Sequence, residues 1–247
     1  VYCYKGDEES KAKAYAVASE VVESKLFPLT EALTTENRIL FDEHIFSLHI
    51  YEMEKVVDPD FINQNVSGLG VGKELFGQFY DLSAGGSTDF RSGNAAFHEM
   101  LITDDTKKIL SKYDQTGYAS DHLPNYTGAY SGADVMPLIR IPEMYYIMSE
   151  ALLATGNAEG AMEYLDAVVD ARGMEKFADR TPLVDITLSD IMAERRKEFI
   201  GEGQWWFCLK RLNSPVKLSG ATGATIPGSD KIYVLPLPVE EEDYRPE

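Results

Sequence analysis

Residues 191 to 212 read Ile-Met-Ala-Glu-Arg-Arg-Lys-Glu-Phe-Ile-Gly-Glu-Gly-Gln-Trp-Trp-Phe-Cys-Leu-Lys-Arg-Leu. Both tryptophans of the chain, Trp205 and Trp206, stand side by side here, just after a charged segment that reaches a glycine. Upstream, Thr187 and Asp190 form a capping-box-like pair, a variant of the Ser/Thr-x-x-Glu/Gln form. Leu188, Ile191, Met192, Arg195 and Phe199 then recur at helical spacing. Gly201 supplies the residue free to take positive φ at the helix stop. The Glu-Gly-Gln-Trp-Trp turn is expected to drive the large aromatics back towards that helix, with Glu194, Arg195, Arg196 and Glu198 in ion pairs that fix its docking. Adjacent tryptophans bury large areas, so packing is preferred over a sugar-stacking role for Trp205 or Trp206.

The same reading extends upstream. Residues 142 to 155 form a helix with Pro142 at a favoured first-turn position and Gly156 at its end. Asn157 caps the next helix, which runs through Ala161, Leu165 and Val168 to a stop at Gly173. Together these make a helix-turn-helix of tetratricopeptide-like dimensions. Residues 10 to 24 form another amphipathic helix through Ala14, Val17, Ala18, Val21 and Val22. The spacing from Ala14 to Val21-Val22 repeats from Ala161 to Val168-Val169, a faint internal echo. Val1 to Gly6 reads as the last turn of a helix and its glycine stop.

The middle of the chain is less regular. Ile45 to Tyr51 alternates as a strand, with Phe46, Leu48 and Ile50 on one face and Ser47, His49 and Tyr51 on the other. Residues 63 to 72 read as a glycine-rich loop. Residues 74 to 82 read as a helix that buries Phe76, Phe79 and Tyr80. Residues 114 to 135, punctuated by glycine and proline, are expected to be an extended surface loop.

A chain of 247 residues with 44% hydrophobic content is globular, and at this length it buries roughly 70 to 75% of its unfolded surface. A net charge of −18 argues against nucleic acid as a partner, since phosphates would be repelled and no basic stripe offsets the charge. No stretch approaches the ~20 apolar residues of a membrane span. Cys3 and Cys208 support no disulfide framework, and free thiols are the default reading. No signal peptide opens the sequence.

Three motifs in order carry a family resemblance. The first is Glu194-Arg195-Arg196-x-Glu198-Phe199-x-x-Glu202-Gly203-x-Trp205-Trp206-x-x-Leu209-Lys210-Arg211, which resembles the C-terminal signature of the SusD/RagB family of surface glycan-binding lipoproteins. Leu138 to Ala151 is similar to that family's Arg-Leu-Ala-Glu-x-Tyr helix, and Tyr233-Val234-Leu235-Pro236-Leu237-Pro238 to its Leu-Pro-Ile-Pro segment. Asp89-Phe90-Arg91 resembles its Asp-x-Arg element. Cys208 replaces a usual aspartate, Pro142 a usual alanine, and Val239-Glu240-Glu241 a usual Gln-Glu pair. The resemblance implies a mainly α fold of tetratricopeptide-like helix pairs, an α-α superhelix with a few short strands and long loops. It also implies that residues 1–247 are one SusD-like region, the C-terminal half of a longer chain. Within it, residues 1–30 would end a helix pair, 31–135 would form a strand- and loop-rich insert, and 136–247 a C-terminal helical region. The implied function is outer-membrane, cell-surface binding of oligosaccharide or polysaccharide and delivery to a TonB-dependent transporter. The implied membrane tether is a lipid anchor on the missing N-terminal part.

Catalytic and cofactor motifs are weak. Gly68-Leu69-Gly70-Val71-Gly72-Lys73 fails as a phosphate loop, because Ser67 and Glu74 stand where glycine and Ser/Thr are required. His44 and His49 fall on opposite faces of a strand, and His98 and His122 lack partners at metal-ligand spacing, so no metal or cofactor is expected. Calcium through Asp58, Asp60 or Asp121 finds no EF-hand pattern. A glycoside hydrolase needs a carboxyl pair across a cleft, and no hydrolase signature accompanies the many carboxylates. An enzyme is therefore the least favoured reading.

The candidate binding residues are Tyr118, Asp121, His122, Asn125, Tyr126 and Tyr130. Sugar faces stack on aromatic rings while their hydroxyls need carboxylate, amide or imidazole partners, and this loop offers both. The same tyrosines could instead pin the loop to the scaffold. A helical-repeat module that binds a protein or peptide partner without glycan affinity is the main alternative.

Overall fold

The chain divides into two units, Val1–Glu202 and Gly203–Glu247. The structure, a computed structural model, describes residues 1–57, 70–84, 86–102, 105–114, 134–217 and 223–235. The first unit begins with α1 (Tyr2–Lys5), stopped by Gly6 at φ 78°, and α2 (Glu8–Glu23). Asp7 caps α2 by accepting the Ser10 amide at 2.8 Å. Ser10, Ala14 and Ala18 are the buried positions of α2, while Val17 faces solvent.

After β1 (His44–His49) and α3 (Met53–Val57) come β2 (Gly70–Gly72) and α4 (Lys73–Phe79). The glycine-rich stretch is therefore a strand where it is described, not a loop. The physical reason is close approach. A Cβ on Gly70 would stand 2.8 Å from both Ile109 Cδ1 and Lys107 Cβ, so only glycine fits this rung. Helix α4 ends three residues earlier than its sequence suggests, with Phe76 and Tyr80 buried as expected and Phe79 packed beside them.

Next come β3 (Phe97–Ile102) and β4 (Asp105–Leu110), which form an antiparallel pair, Phe97 opposite Leu110 and Ile102 opposite Asp105. The three-stranded sheet runs β2-β4-β3. The fifth strand, β5 (Val135–Arg140), pairs antiparallel with β1 and runs directly into α5 (Ile141–Ala154). The strand read at residues 45–51 is present as β1, but its burial does not alternate: Phe46, Leu48 and His49 are all exposed, because register shifts on both sides of Phe46 break the period-2 pattern.

Helix α5 carries Pro142 in its first turn and stops at Gly156 (φ 83°). Helix α6 (Ala158–Ala171) is capped by Asn157, which accepts the Gly160 amide at 3.0 Å, and stops at Gly173 (φ 79°). The two helices pack as a hairpin through Ala161, Leu165, Val168 and Val169, all fully buried. Helix α2 docks on α5 as well, and Tyr15 and Tyr164 meet edge-on with their hydroxyls 3.1 Å apart. The fold is mainly α, as the helix-pair spacing predicts. Helix α7 (Leu188–Glu198) closes the unit behind the full Thr187–Asp190 capping box, and Phe199 packs edge-on against Tyr146 at 6.0 Å.

In the second unit, Trp205 and Trp206 open a helix, α8 (Trp205–Arg211), rather than sitting in a turn. Strands β6 (Val216–Lys217) and β7 (Thr225–Ile226) pair, and α9 (Asp230–Tyr233) follows. Trp206 is about half exposed and meets the Tyr233 ring at 5.2 Å. Both cysteines remain thiols, with no disulfide among the described residues.

Candidate functional site

Tyr118, Asp121, His122, Asn125, Tyr126 and Tyr130 all lie outside the described residues, as do Asp58 and Asp60. The described residues do show what holds the two ends of segment 115–133. After β4 ends at Leu110 the chain turns through Lys112 and Tyr113 to Asp114 on one side, and Asp134 leads into β5 on the other. Tyr113 and Val135 belong to one hydrophobic cluster with Ile39, Met53 and Val57, so both ends of the segment start from the same core.

The turn after α7 fastens this root. Glu202 accepts Lys112 Nζ at 2.7 Å from the incoming side and Arg140 Nη2 at 2.7 Å from the outgoing side. The Tyr113 hydroxyl donates to the Gly201 carbonyl at 3.0 Å, and Lys112 Nζ to the Ile200 carbonyl at 3.0 Å. Gly201 adopts φ 78°, and a Cβ there would stand 2.5 Å from Leu110 Cδ2. The glycine is needed for both its backbone and its lack of a side chain. The Glu-Gly signature at 202–203 thus begins with a carboxylate that ties Lys112, just before the segment, to Arg140 at the far end of β5.

Behind Glu202 lies a buried ionic cluster. Arg91, Arg140, Arg172, Lys112 and Lys197 interleave with Glu43, Asp89, Glu194, Glu198 and Glu202. Burial alone would raise the pKa of Glu198, but Arg172, Arg140 and Arg91 overcome it and hold the carboxyl well below its usual range. Glu194 and Glu202 are lowered for the same reason, burial being outweighed by their cationic neighbours. Ion pairs expected for Glu194, Arg195 and Glu198 are present, Arg195 reaching Glu143 at 2.7 Å. Arg196 lies over the Phe79 ring at 4.9 Å. Asp89 and Arg91, singled out in the sequence, form a forked pair inside this cluster. Sequence reasoning missed Glu43, Lys112 and Arg172. Nothing local marks them, because Arg172 and Glu43 are 129 residues apart.

On the other flank, Arg38 Nη1 donates to the Asp114 carbonyl at 2.5 Å. Asp134 accepts the Ile50 amide on its carbonyl at 2.8 Å and the Met53 amide on its carboxylate at 2.9 Å. His44 uses both ring nitrogens: Nε2 donates to the Ile39 carbonyl at 2.8 Å, and Nδ1 accepts the Ser47 hydroxyl at 2.7 Å. Burial pushes its pKa down to about 4, against the pull of the Ile39 carbonyl. His98 pairs with Ser111, and Lys73 with Glu99 at 3.3 Å. Among the described residues no group of three His, Cys, Asp or Glu side chains is arranged to hold a metal.

A family model described as "SusD family" matches residues 77–229. Similar solved structures include a SusD superfamily protein from Bacteroides thetaiotaomicron, 21% identical with a TM-score of 0.63, covering 96% of this chain and 55% of that one. Surface glycan-binding protein A from Bacteroides uniformis is 20% identical with a TM-score of 0.62, over 97% of this chain and 56% of that one. Surface glycan-binding protein A from Bacteroides thetaiotaomicron, in complex with laminarihexaose, is 19% identical with a TM-score of 0.63, over 97% and 59% respectively. The chain thus spans a little over half the length of these relatives. No curated protein matches it.

Proposed function

The chain belongs to the SusD family, and from that premise we propose that it captures oligosaccharide or polysaccharide at the cell surface without catalysis. Segment 115–133 supplies the contacts, with Tyr118, Tyr126 and Tyr130 stacking on sugar faces and Asp121, His122 and Asn125 bonding hydroxyls. The observation that carries this reading is the pair of segment ends just described. Tyr113 and Val135 share one buried cluster and Asp134 takes the Ile50 and Met53 amides, so a tyrosine-bearing segment starts from a fixed base, which lowers the ordering cost of binding. In this proposal the bound glycan passes to a TonB-dependent transporter of the outer membrane, and the protein is held there by a lipid anchor. No helix among the described residues is long and apolar enough to cross a membrane.

A second reading, a module that binds a protein partner alone, is favoured by one observation. Phe46 and Leu48 of β1 and Leu138 and Ile139 of β5 expose between 37% and 52% of their surfaces on paired strands. Affinity electrophoresis through gels containing different soluble polysaccharides separates the two. Retardation by one polysaccharide supports glycan capture, and migration unchanged by every glycan moves the partner-only reading ahead.

A further inference from the structure

We infer that Tyr51 is a sugar-stacking platform at the root of segment 115–133, with Glu52 and Lys55 beside it as hydroxyl-binding groups. The inference rests on glycan capture as proposed above and adds a binding residue outside the tyrosine-bearing segment.

Tyr51 is 77% exposed, a large amphipathic ring left in solvent. Its backbone is nonetheless held on both sides by the residue that leads out of the segment. The Asp134 carbonyl takes the Ile50 amide at 2.8 Å, and the Asp134 carboxylate takes the Met53 amide at 2.9 Å. Met53 is buried in the cluster that also contains Tyr113 and Val135, and Ile50 packs against that cluster. Tyr51 is thus displayed from a base shared with both ends of the segment.

The backbone here is strained in two places. Glu52 adopts φ 51° and Asp134 φ 57°, the left-handed region that residues with a Cβ enter at a cost. Such strain persists where surrounding bonds over-determine it, and it concentrates at binding sites. Here its effect is to turn the chain sharply after Tyr51 while the ring stays outside. The neighbouring chemistry suits a sugar. Glu52 and Lys55 pair at 2.7 Å with side chains 44% and 72% exposed, offering an acceptor and a donor within four residues of Tyr51. Phe46, the other exposed aromatic of this region, is a poorer platform: it stands opposite Ile139 on an apolar strand pair and carries no polar tip.

The test is native affinity electrophoresis of the chain and of its Tyr51→Ala and Tyr51→Phe variants through gels containing laminarin, soluble starch, xyloglucan or arabinoxylan. Dissociation constants are then measured for any polysaccharide that retards the unaltered chain. Stacking predicts about tenfold weaker binding for Tyr51→Ala, near-normal binding for Tyr51→Phe, and an unchanged melting temperature for both. Equal binding by Tyr51→Ala and the unaltered chain overturns the role of Tyr51 and leaves glycan capture standing. Loss in both variants, or loss with a lowered melting temperature, also overturns it. No retardation of the unaltered chain by any of the four polysaccharides removes the premise and the inference with it.

Discussion

Arg172 grips Glu198 with two nitrogens at once, Nε to Oε2 at 2.9 Å and Nη2 to Oε1 at 3.0 Å, and both side chains are fully buried. This forked geometry is the strong form of a charge-assisted hydrogen bond. Arg140 and Arg91 donate to the same carboxylate at 2.7 and 3.2 Å, so one glutamate near the end of α7 organises three arginines from distant parts of the chain.

Replacing Glu198 by Gln therefore leaves three buried guanidinium groups short of one negative charge. Breaking a buried pair in this way costs about 3–5 kcal/mol. Urea denaturation of Glu198→Gln should show that loss. A shift smaller than about 1 kcal/mol would mean the cluster is more open to water than its burial indicates. Arg172→Lys should lose most of the same amount, because an ammonium cannot reproduce the fork.

His44 makes stability depend on pH. Its folded pKa of about 4 lies below the ordinary 6.5, chiefly through burial. Between those values the unfolded chain binds more protons than the folded one, so stability is full above pH 6.5 and falls as the pH drops towards 4. From pH 7 to pH 5 the loss from this group is about 2 kcal/mol. Urea unfolding at the two pH values checks it: the drop should shrink in His44→Gln, which removes the titrating ring. The buried carboxylates with lowered pKa values act in the same direction at more acidic pH.

Gly201→Ala and Gly156→Ala form a matched pair. Both glycines have positive φ, 78° and 83°, but only Gly201 has a neighbour where the Cβ would go, Leu110 Cδ2 at 2.5 Å. Gly156→Ala should cost about 1 kcal/mol, the left-handed backbone term alone. Gly201→Ala should cost about 1–3 kcal/mol more, because overpacking adds to it. Equal melting temperatures for the two variants would show that the turn yields easily and is not a rigid staple for the loop root.

The helix ends were legible because their signals are local. Thr187 with Asp190, Asn157 with Gly160, and the glycines at 156 and 173 each close their bonds or turns within a few residues. The strands were harder. Pairing of β2 with β4 depends on Gly70 letting Lys107 and Ile109 approach, which no window around Gly70 contains. The ionic cluster was half legible. Glu194, Arg195 and Glu198 stood out as charges on an amphipathic helix. Their partners Arg91, Glu143, Arg140 and Arg172 lie 26 to 107 residues away. Chemical suitability of segment 115–133 could be read from its tyrosines and polar residues. The fastening of its ends by Asp134 and by the cluster of Tyr113 with Val135 could not, because those contacts are tertiary.

Tyr126→Ala and Tyr130→Ala test the proposed contacts directly. If these rings stack on sugar, each substitution should weaken polysaccharide binding about tenfold, since an aromatic face supplies stacking that alanine cannot. The melting temperature should not move, because the segment's ends are held by bonds neither tyrosine makes: Tyr113 to Gly201, Lys112 and Arg140 to Glu202, and Met53 to Asp134. Affinity electrophoresis and thermal melts of the same samples give both numbers. A lowered melting temperature with reduced binding would assign the tyrosines to pinning the segment. Unchanged binding with unchanged melting would move the contacts elsewhere. Glu202→Gln gives the converse pattern. It disturbs the root and no sugar contact, so melting temperature and affinity should fall together, and restoring rigidity with a stabilising additive should recover part of the affinity.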